Sequence, residues 1–122
     1  ANRVRNLFND LFNEKNDVIQ RILNFADGID LMYSDINWQN NHFQNLTAIT
    51  TYLWLRYPDK YYIYKTSEVK SALESLGYAQ KIISAKKHYS NNLKIFFDVY
   101  DEISNMLSKD DEIKVLILQR RN

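Results

Sequence analysis

Apolar residues recur at intervals of three and four along much of the 122-residue chain, which is the spacing of a helix with one buried stripe. The first stripe predicts a helix over residues 3–13. Asn16 or Asp17 can cap a second, longer helix, and Gly28 predicts a bend or an early end within it. The clearest stripe in the chain comprises Leu93, Phe96, Phe97, Tyr100, Ile103 and Leu107. These patterns favour a mainly helical fold.

A third helix is predicted between a polar loop and the only proline of the chain. Asn45 is its expected N-cap, and Pro58 disfavours helical geometry at Tyr57, so the helix should end there. Residues 61–65, with the sequence YYIYK, have strand propensity but no obvious partner strand. We therefore expect an extended aromatic segment after the proline, with a minor strand as the alternative.

Turn signals also bound the second half of the chain. Thr66 or Ser67 is the expected cap of a fourth helix, and Gly77 is its expected C-terminal stop. Residues 78–92 lack clear periodicity and predict a mobile loop. Ser108 is expected to cap a last helix that extends towards the C-terminus. Together the patterns predict one compact bundle of about five to six helices over residues 1–122.

Composition supports this reading and excludes several kinds of site. The chain has two glycines, one proline and no cysteine, which argues against a many-turned β-fold and excludes disulfides and thiolate metal sites. No apolar run approaches the length of a membrane-spanning helix, and no secretion signal is seen, so we expect a cytoplasmic protein. Since the chain begins at Ala1, we expect it to be a fragment of a longer polypeptide.

The charge is unevenly distributed along the chain. The whole chain carries +1, but residues 56–87 contain seven basic and three acidic residues, a local charge of +4. A field of that sign favours phosphate or an acidic partner, although four net charges are also common on a solvated face. The overlapping stretch from position 45 to position 64 carries five of the nine tyrosines and one of the two tryptophans.

Rings interleaved with cations form the candidate binding site. Leu46, Ile49 and Leu53 already define a buried stripe on the third helix, so some of the rings nearby should reach the surface. Tyrosine, tryptophan, lysine and arginine together supply stacking faces and phosphate-pairing charges. The alternative is that the rings build a core. The candidate nucleic-acid contacts are Trp38, Trp54, Arg56, Lys60, Tyr61, Tyr62, Tyr64, Lys65 and Lys70.

This cluster lies within a segment from His42 to Gly77 that reads HFQNLTAITTYLWLRYPDKYYIYKTSEVKSALESLG. The segment resembles the N-terminal region of McrB-like AAA+ proteins, the GTP-hydrolysing subunits of modification-dependent restriction systems. The combination of NLTAIT with RYPDKYYIYK is its most specific part. A later stretch, FFDVYDEISNMLSKDDEIKVLI, resembles the segment that precedes the motor domain of the same proteins.

The resemblance implies an N-terminal recognition domain that binds DNA, either modified or unmodified, and delivers it to an AAA+ motor and a separate nuclease subunit. Oligomerisation would then occur through the motor domain. The motor's nucleotide-binding motifs are absent from these residues, so we expect this fragment to be a non-enzymatic binding domain without a cofactor.

Two alternatives remain open at the level of sequence. The first is a protein-interaction module, in which the same cluster contacts a partner subunit, a trigger protein or another copy of the chain, since Tyr, Trp and Arg are enriched in interface hot spots. The second is an enzyme that uses a carboxylate pair or His42. His42 and His88 do not stand at a metal-ligand spacing, so no metal site is predicted.

Overall fold

The computed structural model describes residues 2–36 and 44–109, and in them the chain is mainly helical, as the pattern predicts. The helices are α1 (Asn2–Leu11), α2 (Val18–Asp35), α3 (Leu46–Arg56), α4 (Thr66–Ser75) and α5 (Tyr89–Lys109), with a 3-10 turn at Lys86–His88. The described residues contain no β-strand. Helix α2 is central, since α1, α3 and α5 all pack against it.

Side chains at the start of α2 and α3 cap the helices as predicted. The carboxylate of Asp17 accepts a hydrogen bond of 3.0 Å from the backbone N–H of Gln20. The side-chain oxygen of Asn45 accepts one of the same length from Ala48. Each bond satisfies a donor of the first turn that has no partner within the helix. Helix α3 ends at Arg56, directly before Tyr57 and Pro58, which confirms the predicted stop.

Gly28 does not end α2, which continues to Asp35. The glycine lies where α1 crosses α2, and a Cβ atom at this position would collide with the side chain of Leu7. The missing side chain thus lets the two helices approach closely. The prediction of an early helix end was wrong because the glycine is needed for packing between helices.

The ends of α4 were predicted unequally well. The N-cap position is Lys65, which makes no side-chain capping bond, so neither Thr66 nor Ser67 caps the helix. The C-terminal stop is confirmed: Gly77 has a φ of 74°, and the N–H of Tyr78 donates to the carbonyl of Leu73 at 2.9 Å. This is the Schellman arrangement, in which glycine adopts the left-handed conformation without strain.

The segment from Tyr61 to Lys65 has no strand partner and returns along α3 instead. The N–H of Tyr64 donates to Thr50 Oγ1 at 2.8 Å. The hydroxyl of Thr47 in turn donates to the carbonyl of Tyr64 at 2.7 Å. Two threonines that lower the helix propensity of α3 therefore serve as partners for the backbone of the following segment.

Helix α5 begins earlier than predicted. The tract assigned to a loop, residues 78–92, is non-helical only to residue 85, and α5 starts at Tyr89. Within its first turns Asn92 is buried and bonds to both backbone groups of Ile83, donating at 2.9 Å and accepting at 3.2 Å. Ser108 lies inside α5 rather than capping a new helix. The remainder of the predicted last helix lies outside the described residues.

The core draws on all five helices and on the segments that follow α3 and α4. Its largest fully buried side chains are Leu11, Ile22, Ile49, Thr50, Leu53, Val69, Leu93, Phe96 and Val99. Tyr61, Tyr64 and Ile82 join this cluster from the two connecting segments. These three side chains fix the two connecting segments to the bundle. The residues of those segments that remain on the surface are therefore held in place by the core.

Candidate nucleic-acid interface

Two of the predicted base-contacting rings lie in the core. Tyr61 and Tyr64 are 6% and 3% exposed, and the Tyr64 ring meets Phe96 edge to face at 5.1 Å between centroids. Tyr62 is half-buried against Phe96 and Tyr100. Since a stacking surface needs a free ring face, neither Tyr61 nor Tyr64 offers one.

The hydroxyl of Tyr61 explains how a tyrosine is tolerated at this depth. It donates a hydrogen bond to Glu14 and accepts one of 2.8 Å from Arg21 Nη2. Burial raises the pKa of Tyr61, and the bond to Glu14 adds to this because it favours the protonated hydroxyl. Tyr61 therefore anchors the segment after α3 to the turn between α1 and α2.

Arg21 lies at the centre of this anchor and is only 4% exposed. Its guanidinium donates to the carbonyls of Leu11 and Asn16, at 2.7 and 2.9 Å, and to Glu14 at 3.0 Å. A buried charge is tolerated when it is paired and its donors are satisfied, and both conditions hold here. Sequence reasoning missed this role.

Two of the four predicted phosphate-contacting cations face carboxylates. Lys60 Nζ lies 2.8 Å from Glu14, and this bond, followed by the one from Tyr61, holds the pKa of Glu14 below its ordinary value. The same bond raises the pKa of Lys60. Lys65 lies 3.8 Å from Glu68 on the following turn. Both lysines are exposed, but each has a protein carboxylate as its neighbour.

Lys86 is neutralised in the same way, by two aspartates of α2. It contacts Asp30 directly and lies 3.2 Å from Asp27, and the bond to Asp30 is the main reason that its pKa is raised. If Glu14, Asp27 and Asp30 are counted with residues 56–87, the local charge falls from +4 to +1. The folded chain thus has a weaker local field than its sequence indicates.

The other candidates divide by position. Trp54 is 39% exposed at the outer side of α3, and the guanidinium of Arg56 lies 4.9 Å from the centre of the Tyr57 ring. Lys70 is exposed on α4. Neither Arg56 nor Lys70 forms an ion pair with the residues that the structure describes. Trp38 lies outside those residues.

A groove between α4 and residues 78–82 brings Lys70 together with groups that the sequence analysis did not select. Lys81, Tyr78 and Gln80 line it with Lys70, and Glu74 is its acidic member. Tyr78 is half-buried, whereas both lysines are exposed. Gly77 was the feature of the sequence that could have indicated this groove. The turn at Gly77 reverses the chain, so that Lys81 lies beside Lys70.

The described part of the chain shows neither of two other kinds of site. No group of three His, Asp or Glu side chains there lies close enough to hold a metal ion. None of its helices combines the length and the apolar character needed to cross a membrane. His42 lies outside the described residues.

Comparisons with protein-family models, with curated proteins and with solved structures find no match to this chain. The resemblance to McrB-like proteins therefore stays a prediction from the quoted segments.

Proposed function

We propose that this chain is a DNA-binding domain of a McrB-like restriction system and that it holds DNA mainly by the phosphate backbone. The observation that supports this function is the groove beside α4, where two exposed lysines from different segments lie together with a tyrosine and a glutamine. Lys70 and Lys81 would pair with phosphates. Tyr78 and Gln80 would add contacts to sugars or base edges.

The proposed contact differs from the one that the sequence suggested. Arg56, Lys65 and Trp54 are exposed but do not line this groove, and Tyr61 and Tyr64 offer no contact because their rings are buried. With few free rings, backbone charge would dominate affinity. Reading of a modified base would require a further contact, and within residues 2–36 and 44–109 Trp54 offers an exposed ring for one.

In such a system the chain would act by binding alone. The DNA it holds would be passed to the GTP-hydrolysing motor and the nuclease subunit that the resemblance implies. We propose on the same basis that it works in the cytoplasm without a cofactor of its own.

DNA binding is tested by fluorescence anisotropy of a labelled duplex against salt concentration, with methylated and unmodified duplexes side by side. The variant Lys70→Ala plus Lys81→Ala should weaken binding to both duplexes. It should also lower the slope of log affinity against log salt by about 2, because each of the two lysines would neutralise about one phosphate.

The matched control is Lys15→Ala plus Lys94→Ala, which removes two exposed lysines outside the groove. It has the same change in net charge and should leave the slope nearly unchanged. Lys60→Ala should also have little effect, since Lys60 is held by Glu14. Equal losses in the groove variant and in the control, or no binding at low salt, would refute the proposal.

A second function, docking of another protein, is supported by a different surface. Leu55 is 66% exposed on α3, next to a depression that Phe8, Phe12 and Tyr52 line. An exposed apolar patch of this kind is common where proteins bind one another. The apolar side chains and the nearby arginines of that surface indicate which kind of protein segment would bind there.

A further inference from the structure

The junction between α1 and α3 carries an open apolar depression, which we call the α1/α3 notch. It is lined by Phe8, Phe12, Tyr52, Leu55 and Arg56. Both helices pack on α2, and aromatic side chains span the gap between them: the rings of Phe8 and Tyr52 meet edge to face at 5.1 Å. The notch therefore has a floor of rings and two helical walls.

The rings of the notch are held firmly from below. Phe8 also meets Phe25 of the core at 5.0 Å, and Phe12 meets Tyr57 at 6.4 Å, both edge to face. The hydroxyl of Tyr57 donates to the carbonyl of Phe12 at 3.0 Å, which ties the segment after α3 to the end of α1. The surface is therefore preformed, so binding of a partner would cost little side-chain entropy on this side of the interface.

The hydroxyl of Tyr52 does not make the floor of the notch polar, because it is already bonded. The hydroxyl of Tyr52 donates to the side chain of Gln44 at 2.7 Å, so the ring is left as an apolar wall. Leu55 stands two residues after the fully buried Leu53, on the outer side of α3. A leucine there contributes nothing to the core, whereas an incoming apolar side chain could bury it.

An arginine stands on each of the two helices that form the notch. Arg5 precedes Phe8 by three residues, so helical spacing puts it one turn earlier on the same side of α1. Arg56 lines the notch from α3, where its guanidinium lies over the Tyr57 ring. Neither arginine forms an ion pair within residues 2–36 and 44–109.

The acidic side chain of α1 lies elsewhere. Asp10 lines a separate depression on the α2 side, with Asp17, Gln20 and Asn24. The notch thus presents an apolar floor with the cation of Arg56 in its α3 wall, and helical spacing puts Arg5 one turn before Phe8 along its α1 wall. Its complement is a surface with apolar side chains in the centre and carboxylates at the edges.

We propose that the α1/α3 notch binds an acidic amphipathic helix of another protein. Leucine or phenylalanine side chains at helical spacing would fill the floor between Phe8, Phe12 and Leu55, and flanking carboxylates would pair with Arg5 and Arg56. The proposal uses none of the residues in the α4 groove. It specifies the chemistry of the second function and does not depend on DNA binding.

The probe is a labelled designed helical peptide of about 18 residues, with leucines on one face and glutamates along both edges of that face. A second peptide replaces each glutamate by lysine. The whole chain should bind the acidic peptide about tenfold more tightly than the basic one at low salt, as measured by anisotropy. Exchanging both arginines, Arg5→Glu plus Arg56→Glu, should reverse this preference.

The apolar part of the proposal is tested by Leu55→Asp, which should weaken binding of the acidic peptide by about tenfold or more. The matched control is Leu31→Asp on α2, because Leu31 is also exposed, at 59%, and lies outside the notch. Circular dichroism should show both variants folded, since neither leucine is buried.

Three results would overturn the proposal. The first is a wild-type chain that binds neither peptide or binds both equally. The second is an equal loss in Leu31→Asp and Leu55→Asp. The third is a doubled mass in sedimentation that Leu55→Asp abolishes, which would assign the notch to a second copy of the chain. Since Lys70→Ala plus Lys81→Ala should leave peptide binding unchanged, failure here is distinct from failure of DNA binding.

Discussion

Arg21 holds the turn between α1 and α2 against the segment that follows α3. It bonds to two carbonyls of that turn, to Glu14 and to Tyr61, all from a buried position. Its aliphatic stem could be matched by methionine, but none of its bonds could. Loss of the guanidinium would leave the buried carbonyl of Leu11 and the partly buried carbonyl of Asn16 without this donor, and that is more costly than the loss of packing alone.

We expect Arg21→Met to lower the free energy of unfolding by about 3 kcal/mol in urea denaturation. The matched control is Arg3→Met, which removes a partly exposed ion pair with Asp35 of 2.8 Å. That change should cost less than about 1 kcal/mol, since exposed pairs are screened and contribute little. Similar losses in the two variants would show that Arg21 has no special role.

The tyrosines show that the sequence neighbours of a residue do not determine whether its side chain is buried. Tyr61 and Tyr64 were candidate surface rings because cations stand beside them, with a place in the core as the alternative, and both are buried. The two residues between them, Tyr62 and Ile63, are half-buried, and Lys65 is the exposed member of the run. Which face of such a segment meets the core depends on its partners, and those lie far away in sequence.

At the level of helices, three ends were predicted correctly from residues that act on the adjacent turn. Asp17, Asn45 and Gly77 act within one turn of their own position, and all three predictions are confirmed. The start of α5 was missed because its first turn includes the buried Asn92, which serves as a polar partner for Ile83. A buried asparagine breaks the apolar pattern by which a helix is recognised.

The crossing of α1 and α2 depends on Gly28, and its energetics can be separated by a double-mutant cycle. Gly28→Ala gains helix propensity of about 1 kcal/mol but forces Leu7 to move. In the background Leu7→Ala the obstruction is gone, so the same change should then stabilise the chain by up to about 1 kcal/mol. Urea denaturation of the four proteins measures the coupling between the two positions.

If the effects of Gly28→Ala and Leu7→Ala on stability were additive, the new methyl group would not contact Leu7, and this explanation of Gly28 would be wrong. Gly77→Ala provides a contrasting case, because nothing lies near its Cβ position and only the left-handed φ of 74° opposes the change. Its cost of about 1 to 2 kcal/mol should not depend on Leu7.

At the scale of the whole molecule, folding redistributes charge that the sequence shows in separate blocks. Lys60 meets Glu14 across 46 positions, and Lys86 meets Asp30 across 56. The partners in each pair lie too far apart in sequence for their pairing to be recognised from local sequence. The excess of basic residues at 56–87 was therefore predictable, whereas the carboxylates that pair with Lys60 and Lys86 were not. The helical class follows from the pattern of apolar residues alone, whereas the site depends on which elements become neighbours.

These long-range pairs give the whole domain a characteristic response to acid. The bonds from Lys60, Tyr61 and Arg21 hold the pKa of Glu14 below its ordinary value near 4.5. A carboxylate with a lowered pKa contributes stability above the ordinary value, and that contribution is lost as the pH falls through the pKa of the folded state. Stability should therefore decline on acidification, partly through this one group.

Glu14→Gln should accordingly be less stable than the wild type near neutral pH, and the difference should shrink as the pH falls below about 4.5. Urea denaturation from about pH 7 to about pH 3 measures this convergence. Glu74→Gln provides the control at neutral pH, since Glu74 forms no ion pair with the described residues and its removal should cost little stability there. If the difference between Glu14→Gln and the wild type did not change with pH, the bonds to Glu14 would not favour its carboxylate, and the acid response would have to come from other groups.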